Sequence, residues 1–305
     1  MLHKRPEAPS ILVTGSNGQI GFELRRSLAT LGQVFALGHA DCDLGAPDIV
    51  RAVVRRLRPD VIVNAAAYTA VDQAEFESEL AFAVNGVAPG VLAEEACSLG
   101  SLLVHYSTDY VFAGSGDTPH QETDEVGPLS VYGKSKLAGE RAIAGTNASA
   151  VVLRTCWVAG AHGTNFARTI LEQGRERDTL RVVNDQFGAP TTASLIADVT
   201  ARIIDRAWIH GSRAAFPSGI YHLAAAGETS WHGYATEVLR YAARKGVVLR
   251  VDPDRIEAIP AMALPRAAQR PANSRLNTRK LHDTFDIHLP EWQAGVHYLI
   301  DQILS

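Results

Sequence analysis

Apolar residues along this chain come in short unbroken runs, each followed by a stretch with helical period. Ser-Ile-Leu-Val-Thr at 10–14 predicts a buried strand, and Ile20, Leu24, Leu28 and Leu31 then mark one face of a helix. Gln33 to Leu37 predict a second strand, and Pro47 opens a helix carrying Ile49, Val53, Val54 and Leu57. Asp60 to Asn64 predict a third strand, Val71 to Gly100 a long helical stretch, Leu102 to Ser107 a fourth strand and Ala150 to Arg154 a fifth. The stretch Ala113 to Ser130 is rich in Gly, Pro, Asp and Ser and reads as a loop; Tyr132 opens the helix after it. Such alternation predicts an α/β fold of Rossmann type, a doubly wound parallel sheet.

The period fades after Thr155. Helices are expected up to about Gly174, over 191–206, over 231–245 and over 290–304, with a strand at Ile220 to Leu223. The expected division is a dinucleotide-binding Rossmann domain over 10–154, joined by helix 191–206. A smaller C-terminal substrate-binding lobe then comprises 155–190 and 218–305.

Composition narrows the class. Hydrophobic residues make up 46% of the 305 positions and charged residues 20%, which suits a globular chain. The 29 basic and 33 acidic residues leave a net charge of −4 with no basic block, so no nucleic-acid partner is expected. Cys42, Cys97 and Cys156 are odd in number and lack metal-type spacing, which points to a reducing compartment. Met1 to Pro9 lack an apolar secretory segment, and no apolar run approaches the roughly 20 residues of a membrane helix. A cytoplasmic protein with no membrane association is expected. No His-Glu-x-x-His pattern or similar ligand set occurs, so no catalytic metal is predicted.

Two motifs carry chemistry. Gly15-Ser-Asn17-Gly18-Gln19-Ile20-Gly21 sits between a strand and a helix, where glycines let backbone amides approach a pyrophosphate. Tyr132 and Lys136 are four apart and share a helix face. A fixed ammonium favours a phenolate, so Lys136 is expected to lower the Tyr132 pKa and ready it for proton exchange with a carbonyl oxygen. Thr108, at the end of the fourth strand, is placed to hydrogen-bond the same oxygen. A second Tyr-x-x-x-Lys, Tyr241 to Lys245, precedes Gly246 at a helix end and reads as structural. Asn85, inside the long helical stretch, reads as a local hydrogen-bond partner.

An ordered set of fragments spans the chain from Ile11 to about Ile303. It comprises the glycine turn, Asn64-Ala-Ala-Ala-Tyr-Thr, Tyr106-Ser-Thr-Asp-Tyr-Val-Phe112 and Val131-Tyr-Gly-Lys-Ser-Lys136. Arg154-Thr-Cys-Trp157, Asn184-Asp-Gln-Phe-Gly-Ala-Pro190 and Arg270-Pro-Ala-Asn-Ser-Arg-Leu-Asn277 complete it. This set resembles the extended short-chain dehydrogenase/reductase family, and within it the members that reduce the C4 keto group of a dTDP-sugar. The resemblance implies hydride transfer from NADPH, with NADH also usable, to that keto group. Tyr132 would protonate the developing alkoxide, and Lys136 would bind the nicotinamide ribose. Thr108, Asp109 and Trp157 would hold the sugar. Gly15, Asn17, Gly18, Gln19 and Ile20 would meet the pyrophosphate, Asp43 and Leu44 the adenosine end, and Ala67, Tyr68, Thr69 and Tyr106 the centre of the cofactor. A homodimer is also implied as possible.

Two departures matter. The family pattern often has Asp where this chain has Gly38, with no carboxylate until Asp41, so NADPH is expected to serve at least as well as NADH. Some members carry magnesium between subunits on glutamates. Glu23 fits one such position but Ser194 stands at another, so the metal is not carried over. A talose-forming 4-ketoreductase, or a regulatory subunit resembling the methionine adenosyltransferase beta subunit, remains an alternative reading of the same fragments.

Overall fold

The computed structural model describes residues 8–305, so Met1 to Glu7 of the N-terminal stretch discussed above lie outside the described residues. Strands β1 (Ser10–Thr14), β2 (Gln33–Leu37) and β3 (Val61–Asn64) are linked by helices α1 (Gln19–Leu28) and α2 (Pro47–Leu57). The long helical stretch is interrupted. It comprises α3 (Val71–Ala74), α4 (Ser78–Phe82), a π-helical turn (Ala83–Val87) and α5 (Ala88–Leu99). Strand β4 (Leu102–Thr108), helix α6 (Val131–Ala144) and strand β5 (Ser149–Thr155) follow. The rest contains β6 (Val158–Ala159), α7 (Phe166–Glu176), β7 (Arg181–Val183), β8 (Phe187–Gly188), β9 (Thr191–Thr192) and α8 (Ala193–Ile203). Then come β10 (Gly219–His222), β11 (Thr229–Ser230), α9 (Trp231–Arg244), β12 (Glu257–Ile259), α10 (Arg279–Phe285) and α11 (Trp292–Leu304).

Six strands form one parallel sheet in the order β10-β5-β4-β3-β1-β2. The central strands are buried on both faces, which is why they read as continuous apolar runs rather than alternating ones. Ile11, Val13, Val61, Val63, Val104 and Leu153 pack on one side with Leu24 and Leu28 of α1 and Ile196 and Val199 of α8. Leu12, Ile62, Leu103 and Val152 pack on the other with Val50 and Val54 of α2 and Leu92 and Ala96 of α5. A second core lies beyond the sheet, where Ile170 and Leu171 of α7 meet Tyr234, Val238 and Leu239 of α9 and Val296 and Ile300 of α11.

Two expectations are corrected. The strand near Ile220 was assigned to the smaller lobe, but it is the sixth strand of the main sheet, with Ile220 beside Val152. Leu281 and Phe285 of α10 join the same core. A four-residue apolar run does not reveal which sheet it joins, because pairing is non-local. The second correction concerns helix length. Ser78–Leu99 is long and apolar enough to cross a membrane by length and composition, with a mean hydropathy of 1.2. Sixty-one per cent of that window is buried inside the fold, as in the core helix of a doubly wound sheet.

Candidate active site

The carboxyl ends of the parallel strands open onto a cavity of about 1270 Å³. That is where open α/β sheets bind ligands. Among the expected residues, Gly18, Gln19, Ile20, Ala67, Thr69, Tyr106, Thr108, Asp109, Tyr132, Lys136 and Trp157 all line it. Gly15, Asn17, Asp43, Leu44 and Tyr68 do not stand among its lining residues. Leu44 is buried in the core under α2, the Asp43 carboxylate accepts from the Gly45 N–H (2.8 Å), and Tyr68 donates its hydroxyl to Glu77 (2.6 Å).

The glycine turn is built for close approach. Gly15 has φ of +68°, and a Cβ there would sit 2.5 Å from the Ala66 backbone nitrogen, so no other residue fits. Gly18 is the extended residue before α1, and no side chain caps that helix. Its first-turn N–H groups therefore remain free for an anionic oxygen, which suits the pyrophosphate of a dinucleotide. The Gln19 side chain is used differently from expectation. Its Oε1 accepts from Gly160 N (2.7 Å) and Asn165 Nδ2 (3.1 Å), tying the turn to the segment before α7.

The end of β2 also differs from expectation. Although Gly38 lacks a carboxylate, Asp41 folds back and its Oδ2 accepts from the Gly38 N–H at 3.1 Å. The strand end therefore carries a carboxylate three residues later in sequence than the family pattern places it.

Helix α6 starts cleanly because Ser130 is its N-cap and accepts from Gly133 N (3.2 Å). This sets Tyr132 on the cavity wall, edge-on to Tyr110 at 5.6 Å between ring centroids. Burial pushes the Tyr132 phenol up to about 12; the nearby Thr108 hydroxyl opposes the shift and the Asp109 charge adds to it. This corrects the expectation that Lys136 would lower it. The fully buried Lys136 Nζ instead donates to the Tyr106 carbonyl (2.6 Å) and lies 3.3 Å from His105 Nε2. Burial pushes Lys136 down to about 8, with Glu140 opposing. Tyr106 reaches this network through its backbone only, since its hydroxyl pairs with Thr200 at 2.7 Å on the opposite face of the sheet.

Thr108 Oγ1 donates to Asp109 Oδ1 at 3.0 Å. Asp109 is buried and its Oδ2 has no partner. Burial pushes this carboxyl up to about 7, against the Thr108 hydroxyl and the nearby Ser274. An unpartnered acceptor on a cavity wall suits a sugar hydroxyl.

Trp157, also on the cavity lining, stands at φ +47°, a left-handed conformation that a bulky residue rarely adopts. Its indole stacks on Trp231 with 3.7 Å between ring centroids. A Cβ at Gly188 would come within 2.8 Å of the indole, so glycine is required there. Trp231 stood out in the sequence only as the first residue of a helix. Phe166 and Tyr234 extend the aromatic wall, and Arg181 and Arg266 add positive charge to the lining.

Asn85 acts as a clamp within the π-helical turn. Its Oδ1 accepts from Tyr68 N (2.9 Å), and its Nδ2 donates to Tyr68 O (3.0 Å) and Ser135 Oγ (3.0 Å). It thereby fixes the 67–69 segment to the helix bearing Tyr132. At the position considered for a metal, Glu23 is paired with Arg26 (3.4 Å) and Ser194 with Thr192 (3.2 Å).

The comparisons with known proteins agree along the whole chain. The RmlD substrate binding domain family matches residues 9–305. A dTDP-4-dehydrorhamnose reductase of Burkholderia thailandensis is 48% identical over 295 residues, covering 97% of this chain and 99% of the relative. The enzyme of that name from Escherichia coli K12 is 45% identical over 300 residues, covering 97% and 98%. The crystal structure of a dTDP-4-dehydrorhamnose reductase from Clostridium acetobutylicum superposes with a TM-score of 0.88 at 34% identity, over 97% of this chain and 99% of that one. The Bacillus anthracis dTDP-4-dehydrorhamnose reductase in complex with NADP gives 0.86 at 29% identity, over 96% and 99%. Matched from end to end by one family and close to half identical to several of its members, the chain belongs to the RmlD substrate binding domain family, that of the dTDP-4-dehydrorhamnose reductases.

Proposed function

We propose that this protein is an NAD(P)H-dependent reductase that converts dTDP-4-dehydro-L-rhamnose to dTDP-L-rhamnose. The observation that carries the reading is the grouping of Tyr132, Thr108 and Asp109 on one cavity wall, facing Trp157 and sharing the cavity with the free amides of the glycine turn. When bound, NAD(P)H supplies the hydride. Tyr132 holds a proton throughout the neutral range and delivers it to the sugar C4 oxygen. Thr108 orients that oxygen, and Asp109 Oδ2 accepts a sugar hydroxyl. Trp157, backed by Trp231, presents a flat apolar face to the deoxysugar ring. Lys136 fixes the cofactor ribose. Gly15, Asn17, Gly18, Gln19 and Ile20 shape the pyrophosphate end, Asp43 and Leu44 support the adenosine end, and Ala67, Tyr68 and Thr69 flank the centre.

The proposed division of labour assigns the dinucleotide to residues 10–154 with helix α8, and the sugar nucleotide to 155–190 with the later part of the chain. A cytoplasmic homodimer is part of the same reading. Phe76, Leu80 and Val87 lie exposed near one another in sequence, and light scattering tests the dimer. The decisive experiment is NADPH oxidation with dTDP-4-dehydro-L-rhamnose and NMR of the product. dTDP-L-rhamnose is expected. A talose epimer would overturn the stereochemical assignment, and no oxidation would overturn the activity.

A further inference from the structure

The register of the sheet places Thr14, Asn64 and His105 in one row across β1, β3 and β4. All three are buried, on the sheet face that α6 covers. Thr14 Oγ1 lies 2.7 Å from Asn64 Oδ1, Asn64 Nδ2 lies 3.0 Å from His105 Nδ1, and His105 Nε2 lies 3.3 Å from Lys136 Nζ. We infer that His105 is a positioning residue that sets the charge of Lys136, through a row of hydrogen bonds that must reverse when Lys136 changes protonation. The inference rests on the reductase reading for the role it gives Lys136.

The argument is a count of protons. His105 is neutral: burial and the adjacent Lys136 both hold it well below the ordinary imidazole value. A neutral imidazole has one N–H and one lone pair. With Asn64 Nδ2 donating to Nδ1, the ring proton is on Nε2 and faces Lys136. An ammonium has no lone pair to receive it, so this arrangement matches the neutral amine. With the Asn64 amide turned over, Oδ1 accepts from Nδ1–H, Nδ2 donates to Thr14 Oγ1, and the Nε2 lone pair faces the ammonium. The two arrangements differ by one proton, exchanged with solvent at Lys136. A buried group left facing the wrong partner costs about 1–3 kcal/mol, so charge and orientation move together.

Among the described residues, the other titratable side chains near Lys136 are engaged elsewhere. Glu140, on the same helix as Lys136, is held by Arg154 of β5 (2.6 Å) and Ser107 of β4 (2.5 Å). Glu75, beside α3, accepts from Val131 N (2.8 Å), and Glu95 of α5 pairs with Arg51 and Arg55. Tyr132 and Asp109 line the same cavity as Lys136, and the Asp109 carboxylate accepts from Thr108 Oγ1 (3.0 Å).

The test uses the protein without cofactor or sugar. The chain has five lysines, Lys4, Lys134, Lys136, Lys245 and Lys280, so the Lys136 side chain can be followed by carbon-13 NMR and assigned with Lys136→Arg. In the wild type, the nitrogen-15 shifts of the His105 ring should exchange tautomers over the pH range in which Lys136 titrates. Once ionised, the carboxylate of Asn64→Asp can only accept, which fixes Nδ1–H and turns the Nε2 lone pair to Lys136; the Lys136 titration should move up by about one unit. His105→Leu removes that acceptor, and the titration should move down by about one unit. A His105 tautomer that stays fixed while Lys136 titrates would overturn the inference without any variant. So would Asn64→Asp and His105→Leu titrations that coincide with the wild type in folded protein. These measurements are independent of turnover. An inactive wild type with a responsive tautomer would sink the reductase reading alone, and an active one with a fixed tautomer would sink the relay alone.

Discussion

Replacing Asp109 with Asn should change how stability depends on pH. The Asp109 carboxyl is buried, has one unpartnered oxygen and is pushed up to about 7. In the unfolded chain an aspartate titrates near about 3.9. A carboxyl raised on folding binds its proton more tightly in the native state. The stability linked to that proton is complete below the unfolded value and is lost as pH rises through the folded one. From pH 5 upward the unfolded chain has already ionised this group while the native state holds the proton until it is half ionised near pH 7. One such group costs about 1.36 kcal/mol for each pH unit while the native state stays protonated, which comes to about 2.3 kcal/mol between pH 5 and pH 7.

Asparagine has nearly the same shape and does not titrate, so its own packing or hydrogen-bonding cost is the same at each pH. The assay is urea unfolding without ligands, followed by the fluorescence of the four tryptophans through a single transition at pH 5, 6, 7 and 8. The stability of Asp109→Asn relative to wild type should rise by about 2.3 kcal/mol from pH 5 to pH 7 and by only about 0.3 kcal/mol more by pH 8. Other titrating groups cancel in the difference. Parallel profiles for the two proteins would show that Asp109 ionises freely in the fold, and the argument for a dry, unpartnered acceptor would fail.

Tyr132→Phe removes only the proton and should lower kcat by about 10²- to 10⁴-fold while leaving cofactor affinity nearly unchanged; Tyr241→Phe, at the end of α9, should be silent. Near-normal turnover in Tyr132→Phe would assign the proton to another group. Trp157→Ala removes the stack on Trp231, worth about 0.5–1.5 kcal/mol beyond buried area, and should lower kcat/KM with a cooperative melt retained. A broadened melt would instead make Trp157 a packing residue. Gly38→Asp, whose Cβ displaces only the tip of the Asn17 side chain, adds a second carboxylate beside Asp41 and should raise the NADH to NADPH ratio of kcat/KM by about tenfold, ~1.4 kcal/mol. Asp41→Asn should move the ratio the other way, and an unchanged ratio in both would remove the strand end from cofactor choice.

What the sequence made legible was local. Leu102-Leu-Val104 is a strand in sequence because a parallel strand buried on both faces needs apolar residues at consecutive positions. Gly15 and Gly21 were legible because a tight turn against a neighbouring backbone admits nothing larger. What stayed hidden depends on pairings between distant parts of the chain. The strand at Ile220 carries no mark of its partner β5, so its placement in the main sheet was missed. Asp41 is three residues from Gly38, yet only the turn that folds it back brings its carboxylate to the strand end. Trp231 is 74 positions from Trp157, and His105 is 31 from Lys136. Spacing on one helix foresaw that Tyr132 and Lys136 share a face, but not that Lys136 is engaged elsewhere.

That engagement changes the argument about the acid. The sequence reading asked Lys136 to make the Tyr132 phenol more acidic, whereas the structure gives the Lys136 donor to the Tyr106 carbonyl and leaves the phenol raised to about 12. Reduction does not require the lower value. Once hydride reaches a carbonyl carbon, its oxygen becomes an alkoxide, which is a stronger base than a phenolate. Proton transfer from Tyr132 then runs downhill even from a raised phenol. The reverse reaction is the one that suffers, because it needs the phenolate as a base and a dry site holds little of it near pH 7. A phenol held protonated is therefore ready as an acid near pH 7, whereas alcohol oxidation should speed up as pH rises toward the phenol's value. The raised phenol thus sets the pH range in which each direction runs, while the balance between keto sugar and alcohol belongs to the reactants and the cofactor.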